Sequence, residues 1–318
     1  MTNETSPKTL QEAIMYFADE VRCREYVARH RWPNGPMCPT CGSNHVGFLE
    51  KQQRYQCGTR HAKRQFTVKV GTIFEDSPLP LSKWLPAIWL IASAKNGISS
   101  YELGKALDIT QKTAWFMLHR IRFAMQDDDS PLSGKVEVDE TFIGGKARFM
   151  HKNKRAENIK GTGGIGKMAV MGLLERHGPD SKASRVRTKV IANTRRTTLA
   201  PEVQAHVVVG SEVFTDALKS YDDLGTKYIH QVIDHAEEYV RGQVHTNGIE
   251  NYWSLLKRAI RGTYVNVEPF HLFRYLDEES FRYNTRTDDD NMRFRHVVTR
   301  VEGRRLTYLD LTGKLKEP

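Results

Sequence analysis

Between residues 135 and 262 the strand-like and helix-like stretches come in an order that admits few folds. Three apolar runs, KVEVDETFIGG, KMAVMGLLER and RVRTKVIAN, make a strand-rich section. A helix-like TLAPEVQAHV comes next, then a short strand EVFTD, a helical turn LKSYDDL, a strand-like KYIHQVI and a helix opening at HTNGIENYWSLLKRAIRG. Three strands, helix, strand, helix, strand, helix is an α/β order that calls for a mixed sheet. In that layout the first and fourth strands lie adjacent and the last helix packs beside them.

The last helix has two faces. Ile249, Trp253, Leu256 and Ile260 make an apolar stripe, and Asn247, Glu250, Ser254 and Lys257 make a polar row. A solvated face with a Glu/Lys pair is the plain reading of such a row. The strands upstream argue for more. Asp139 sits in the middle of VEVDETFIGG, flanked by valines, where a charge is costly unless something offsets it. Asp216 ends EVFTD, and Glu250 lies in the first turn of the helix. The layout brings these three acids to one sheet edge, where they repel each other and call for cations. Two Mg2+ ions held by carboxylates activate a water and stabilise the leaving oxygen of a phosphodiester. Lys257, two turns beyond Glu250, would then reach a nucleic-acid backbone, with Arg258 beside it.

The four cysteines are Cys23, Cys38, Cys41 and Cys57. They are too few and too local for a disulfide framework, and they suit a metal site in a reducing cytosol. MCPTCG supplies a Cys-x2-Cys knuckle, and Cys57-x3-His61 supplies a second pair, so Cys38, Cys41, Cys57 and His61 would hold one structural Zn2+. His45 competes with His61 for the fourth position. Cys23 lies in a helical pattern and reads as a packed side chain.

Residues 8 to 30 read as one helix with Leu10, Ile14 and Phe17 in register, ended by RWPNGP. PLPLS closes the cysteine region, and Ser82 offers a cap for a helix striped by Trp84, Ile88 and Ile91. SSYELGKAL, the turn DIT and a helix from Gln111, with Thr110 as N-cap, read as a helix-turn-helix. Its second helix is striped by Ala114, Leu118, Ile121 and Met125, leaving Gln111, Lys112, His119 and Arg122 for base edges and phosphates. An ordinary helical hairpin has the same pattern. The net charge of +10 favours a polyanionic partner.

The expected domains are an N-terminal helix with zinc ribbon (1–76), the helix-turn-helix (77–126), a linker DDDSPLSG (127–134), a catalytic α/β domain (135–264) and a charged helical tail packing on it (265–318). GTGGIGKM approaches a P-loop, but Met168 stands where Ser or Thr would hold Mg2+ and a strand follows. It reads as a hairpin loop, with Lys167 available to a DNA phosphate. No apolar run is long enough to cross a membrane, and the opening MTNETSPKTLQEAIMYFADE does not read as a secretory signal. A tyrosine recombinase using Tyr252 or Tyr264 would need an Arg/His constellation, whereas the acids dominate here.

VDETFIGG, FTDALKSY, HTNGIENYWSLLKRAIRGTY and FRYN, with CPTCG and RQFTVKVGTIFEDSPLPL, resemble the IS1595 (ISXO2-like) insertion-sequence transposases over nearly the whole chain. The resemblance implies an RNase H-like catalytic domain of DDE type, cutting at terminal inverted repeats and joining the freed 3′-OH to target DNA. It implies Asp139 and Asp216 as the first two acids. The third is Glu250, or Asn247 one turn away, since the family uses either Glu or Asn; a carboxylate binds Mg2+ better than an amide. It implies two catalytic Mg2+, for which Mn2+ can substitute, double-stranded DNA as partner, at least a homodimer on DNA, and a cytoplasmic, nucleoid-associated protein. The family often has a second Cys-x2-Cys, where this chain has Cys57-x3-His61. Glu278, Arg282 and Arg286 match a Glu/Arg pattern in the family's tail, as a surface ladder or as phosphate contacts. The other expectation is a DNA-binding regulator derived from a transposase that no longer cuts.

Overall fold

The computed structural model describes residues 6–127, 130–144, 167–178, 183–216, 219–233, 245–265 and 267–313. The chain forms two compact units, 1–125 with 288–318, and 126–287.

The first unit opens with α1 (Leu10–Tyr16) and α2 (Glu20–Arg31). The single helix expected over 8–30 is split because the Asp19 carboxylate accepts the Val21 N–H at 3.0 Å and starts a second helix. The expected stripe is also shifted: Leu10 and Ile14 are exposed, while Ala13 and Phe17 are buried. A three-stranded antiparallel sheet follows, β1 (Val46–Leu49), β2 (Arg54–Cys57) and β3 (Gln65–Phe66). α3 (Leu81–Ser93) starts one residue before the expected Ser82 cap. Its first amides, on Leu81 and Ser82, donate to the Glu20 carboxylate at 2.8 and 3.0 Å, so α2 supplies the cap.

α4 (Ser100–Leu107) and α5 (Gln111–Met125) pair across the expected short turn. Thr110 Oγ1 accepts the Thr113 N–H at 3.2 Å, as its capping position predicts. Gly104 lets the turn close, since a Cβ there would lie 3.0 Å from the Ile109 carbonyl oxygen. α5 is buried almost all round beyond its first two turns. His119 is 0% and Arg122 1% exposed, which corrects the expectation that they face DNA; only Gln111 and Lys112 of that set are exposed. The helix has too little polar surface past its start to lie in a groove along its length.

The tail expected over 265–318 is divided. α9 (Asp290–Thr299) and α10 (Tyr308–Thr312) belong to the first unit. Phe294 meets Trp89 of α3 at 5.2 Å between ring centroids. The Ile73 N–H donates to the Val301 carbonyl at 3.1 Å and the Gly303 N–H to that of Gly71 at 2.8 Å. Buried Arg31 donates to Glu302 at 3.1 Å and to the Val68 carbonyl at 2.9 Å.

The second unit is built on β4 (Lys135–Gly144), β5 (Lys167–Glu175), β6 (Arg185–Ile191), β7 (Glu212–Asp216) and β8 (Ile229–Ile233). Their order is β6-β5-β4-β7-β8, antiparallel through the first three and parallel from β4 to β8. The first and fourth strands of the sequence order are therefore neighbours. α6 (Arg196–His206) connects β6 to β7 and buries Leu199 and Val203 with Val136, Val138, Met171, Leu173 and Val213. On the other face α7 (Asn247–Ala259) and α8 (Leu272–Asn284) bury Ile249, Trp253, Leu256 and Leu276 with Val170, Leu174 and Val186.

The expected linker at 127–134 is partly built into this unit. Leu132 is buried, its N–H donates to the His206 carbonyl and its carbonyl accepts from Val208, both at 2.8 Å. The FRYN segment covers a sheet edge: Asn284 accepts the Val186 N–H at 2.7 Å and donates to its carbonyl at 2.9 Å, as a neighbouring strand would.

Gly172 of β5 faces α7, and a Cβ there would lie 2.6 Å from the Trp253 ring and 2.7 Å from Ile249. Both neighbours are held in the core. Gly172→Ala is therefore expected to destabilise the chain by about 1–3 kcal/mol, read as a lower urea midpoint with unchanged slope; an unchanged midpoint would refute this packing.

Candidate active site and zinc cluster

β4 alternates its side chains. Val136 and Val138 pack on the α6 side, so Glu137 and Asp139 face α7. The β4–β7 ladder pairs Val136 with Val213 and Glu137 with Phe214. The paired register ends at Glu137 and Phe214; carried two residues further, its offset would set Asp139 across from Asp216 on the same face, and the Asp216 charge does act on Asp139. Glu250 lies in the first turn of α7. The Trp253 indole N–H donates to Asp139 Oδ2 at 2.9 Å, and the Glu140 N–H donates to Asp139 Oδ1 at 2.8 Å.

The electrostatics reflect this convergence. Burial pushes the Asp139 carboxyl up to about 6; its two hydrogen bonds oppose the rise, and the charges of Asp216 and Glu250 add to it. Glu140 is pushed up to about 8 by burial, then by Asp139 and Asp216. Lys257 is held below its ordinary value by burial and by Arg261 and Lys167, against the pull of Asp139. A lysine amid two cations and beside a carboxylate is suited to an anionic group lying next to the acids.

Asp139, with the charges of Asp216 and Glu250 raising the cost of its own, makes a set of three carboxylates that fits hard divalent cations. Among the described residues these acids do not draw their ligand atoms within 4.8 Å of one another as a group. Asn247, the alternative third ligand, is exposed at the first position of α7.

The cysteine cluster is tighter. Cys38, Cys41, Cys57 and His61 bring their ligand atoms within 4.8 Å of one another. Cys38 Sγ lies 3.4 Å from His61 Nε2, and Cys41 Sγ lies 3.7 Å from Cys57 Sγ. A tetrahedron with Zn–S about 2.3 Å and Zn–N about 2.0 Å has edges of about 3.8 Å between sulfurs and about 3.5 Å between sulfur and nitrogen. The four atoms fit that ion, with no position left over for substrate. Burial works against the Cys38 thiolate, but hydrogen bonds from the backbone of Cys41 and Thr40 and from the Cys41 and Cys57 side chains together bring the thiol down to about 6. His45 stays out of the cluster, with its ring against Gly58. Cys23 is a packed thiol that donates to the Phe17 carbonyl at 3.2 Å.

Other expected contacts fall elsewhere. Arg282 is enclosed in α8, bonded to Glu279 at 2.5 Å and to Glu278, which also accepts from the Tyr264 hydroxyl. Burial opposes its charge, but Glu278 and Glu279 outweigh burial and hold its pKa up. That corrects its assignment to DNA contact: the Glu/Arg pattern ties α8 to the end of the α7 segment. Arg286 donates to the Ser184 and Tyr283 carbonyls at 2.8 and 2.6 Å. Lys167 and Arg258 are exposed. Residues 161–166 of the P-loop-like segment lie outside the described residues.

Glu137 and Arg176 were not among the expected site residues. Glu137 is 1% exposed and pairs with Arg176 Nε at 2.6 Å. The alternation in VEVD was a usable signal, because a period of two puts Glu137 on the same face as Asp139.

A five-stranded mixed sheet, with acids on two adjacent strands and a third on the covering helix, is consistent with a DDE-type domain, and the Cys3His cluster with a zinc ribbon. Comparison with known proteins agrees. The ISXO2-like transposase domain matches residues 131–284, and the transposase zinc-ribbon domain matches residues 18–59. The chain is 29% identical over 265 residues to an uncharacterized protein in transposable element ISH50 of Halobacterium salinarum, covering 77% of this chain and 84% of that one. It is 32% identical over 101 residues to an uncharacterized transposase-like protein of Haemophilus influenzae, covering 31% of this chain and 81% of that one. The chain belongs to the IS1595, or ISXO2-like, transposase family.

The purified chain is expected to release about one zinc per chain on thiol modification, read with a chromogenic chelator. Cys41→Ser and His61→Ala should each lose that zinc, and Cys23→Ser should keep it. Full zinc retention in His61→Ala would return His45 to consideration.

Proposed function

We propose that this transposase performs Mg2+-dependent cleavage at its element's terminal inverted repeats and transfers the freed 3′-OH into target DNA. The observation that carries the reading is that Asp139 and Asp216 lie on adjacent parallel strands, with the charges of Asp216 and of Glu250 on the covering helix both acting on Asp139. These three residues would hold two Mg2+. When bound, the metal supplies Lewis acidity to the attacked phosphate and neutralises charge on the leaving oxygen.

The chain's own groups do the rest. Trp253 holds one oxygen of Asp139, which leaves the carboxylate with a set orientation. Lys257 binds the DNA backbone beside the acids, with Lys167 and Arg258 on the neighbouring surface. The zinc ribbon and the exposed Gln111 and Lys112 contact the terminal repeat. Attack is in line, first by water and then by the 3′-OH, with no covalent bond between protein and DNA. Bringing two ends together asks for at least two copies of the chain.

The test is a DNA duplex carrying the element's end, incubated with Mg2+ or EDTA. Mg2+-dependent nicking is expected to fall at least about 10^3-fold in Asp139→Ala and in Glu250→Ala. Nicking that survives Glu250→Ala but not Asn247→Ala would move the third ligand to Asn247. Tight, specific binding with no cleavage in any divalent metal would make the chain a regulator instead. Separately, Lys257→Ala should weaken binding across DNA sequences and lower the salt slope of the binding constant by about one; an unchanged slope would remove Lys257 from the DNA backbone.

A further inference from the structure

α7 begins without a cap of its own. Thr246 stands at the N-cap position and makes no capping hydrogen bond. Its hydroxyl, on a residue 1% exposed, donates instead to Glu250 Oε1 at 3.1 Å. The amide left over at the third helical position, that of Ile249, donates to Glu137 Oε2 at 2.8 Å. Glu137 therefore does from β4 what an N-cap side chain does locally.

Glu137 is held in turn. Arg176 Nε donates to its Oε1 at 2.6 Å, and the Arg176 guanidinium also bonds the His245 carbonyl, lies 3.0 Å from His245 Nδ1 and stacks 4.3 Å over the Phe214 ring. Gly248 leaves room for this approach, because a Cβ there would stand 2.9 Å from Glu137 Oε2. Asp139, two residues along β4, receives the Trp253 indole N–H, four residues along α7 from Ile249. Two strand residues span about 6.7 Å and four helical residues about 6 Å. The two bonds thus run side by side and fix the helix in rotation and in register.

We infer that Glu137 and Thr246 are positioning residues for the third carboxylate: Glu137 sets the start of α7, which frees the Thr246 hydroxyl to orient Glu250 toward Asp139 and Asp216. The inference rests on the reading of Glu250 as a metal ligand. A buried carboxylate is a costly way to cap a helix that a local Thr could cap. Its location two residues from Asp139, on the same face, ties that cost to the geometry of the acids.

The test is Mn2+ binding by the full-length, zinc-loaded chain, followed through the electron paramagnetic resonance of free Mn2+, with thermal melting as a check on folding. Thr246→Val is expected to weaken Mn2+ by roughly tenfold or more, as loss of an outer-sphere partner typically does, with an unchanged melting temperature. Thr246→Ser, which restores the hydroxyl, should return the affinity, and Glu137→Gln should weaken it in a chain that still folds. Wild-type affinity in Thr246→Val, or no rescue by Thr246→Ser, overturns the inference about Thr246; wild-type affinity in Glu137→Gln overturns that about Glu137. A wild-type chain that binds Mn2+ no better than Asp139→Ala overturns the metal reading itself, and this inference with it.

Discussion

The contact between Trp253 and Gly172 governs how closely α7 approaches the sheet. With no side chain on Gly172, the indole lies against β5 and its N–H reaches Asp139 on the paired strand. Ile249 uses the same gap, and its amide meets Glu137. A larger residue at 172 would lift the helix, lengthen both bonds and carry Glu250 away from the other acids. The apolar stripe of α7 and its polar row are therefore one device: packing on one side sets the distance at which the other side works.

Carboxylates borrowed from elsewhere in the chain recur as helix caps. Glu20 of α2 receives the first amides of α3, and Glu137 of β4 receives the third amide of α7. Each stabilises orphan donors at a positive helix end and joins two elements at a defined angle. Buried arginines serve the same end with carbonyls. Arg31 joins the Val68 carbonyl to Glu302, and Arg120 reaches the carbonyls of Ile73, Glu75 and Leu306. Much of the first unit is closed by residues from the far end of the chain, which no local pattern announces.

In this protein a high positive charge does not mean that each cation faces nucleic acid. Arg31, Arg120 and Arg122 are buried in the first unit, and Arg282 is enclosed by Glu278 and Glu279 in the second. Among the described residues, Lys257 feels the charges of Asp139, Arg261 and Lys167, and Lys167, Arg258 and Arg261 are exposed.

What was legible in the sequence were the features with short periods. The order of strands and helices implied a mixed sheet with its first and fourth strands adjacent, because connections of these types leave little choice of neighbour. Cys38, Cys41, Cys57 and His61 were legible because the short Cys-x2-Cys and Cys-x3-His spacings bring two ligands at a time within reach of one small ion. Asp139 stood out as a charge between valines and Asp216 as one at an apolar strand end, whereas Glu250 sat in an ordinary polar row and drew notice only through the order of the elements. The tertiary structure decided what depends on distant partners. It split residues 8–30 at Asp19, joined α9 and α10 to the N-terminal unit, buried His119 and Arg122, and turned Arg282 inward. It also gave Glu137 its place, since an acid in a strand shows its partner only when a helix from 112 residues later brings an amide to it.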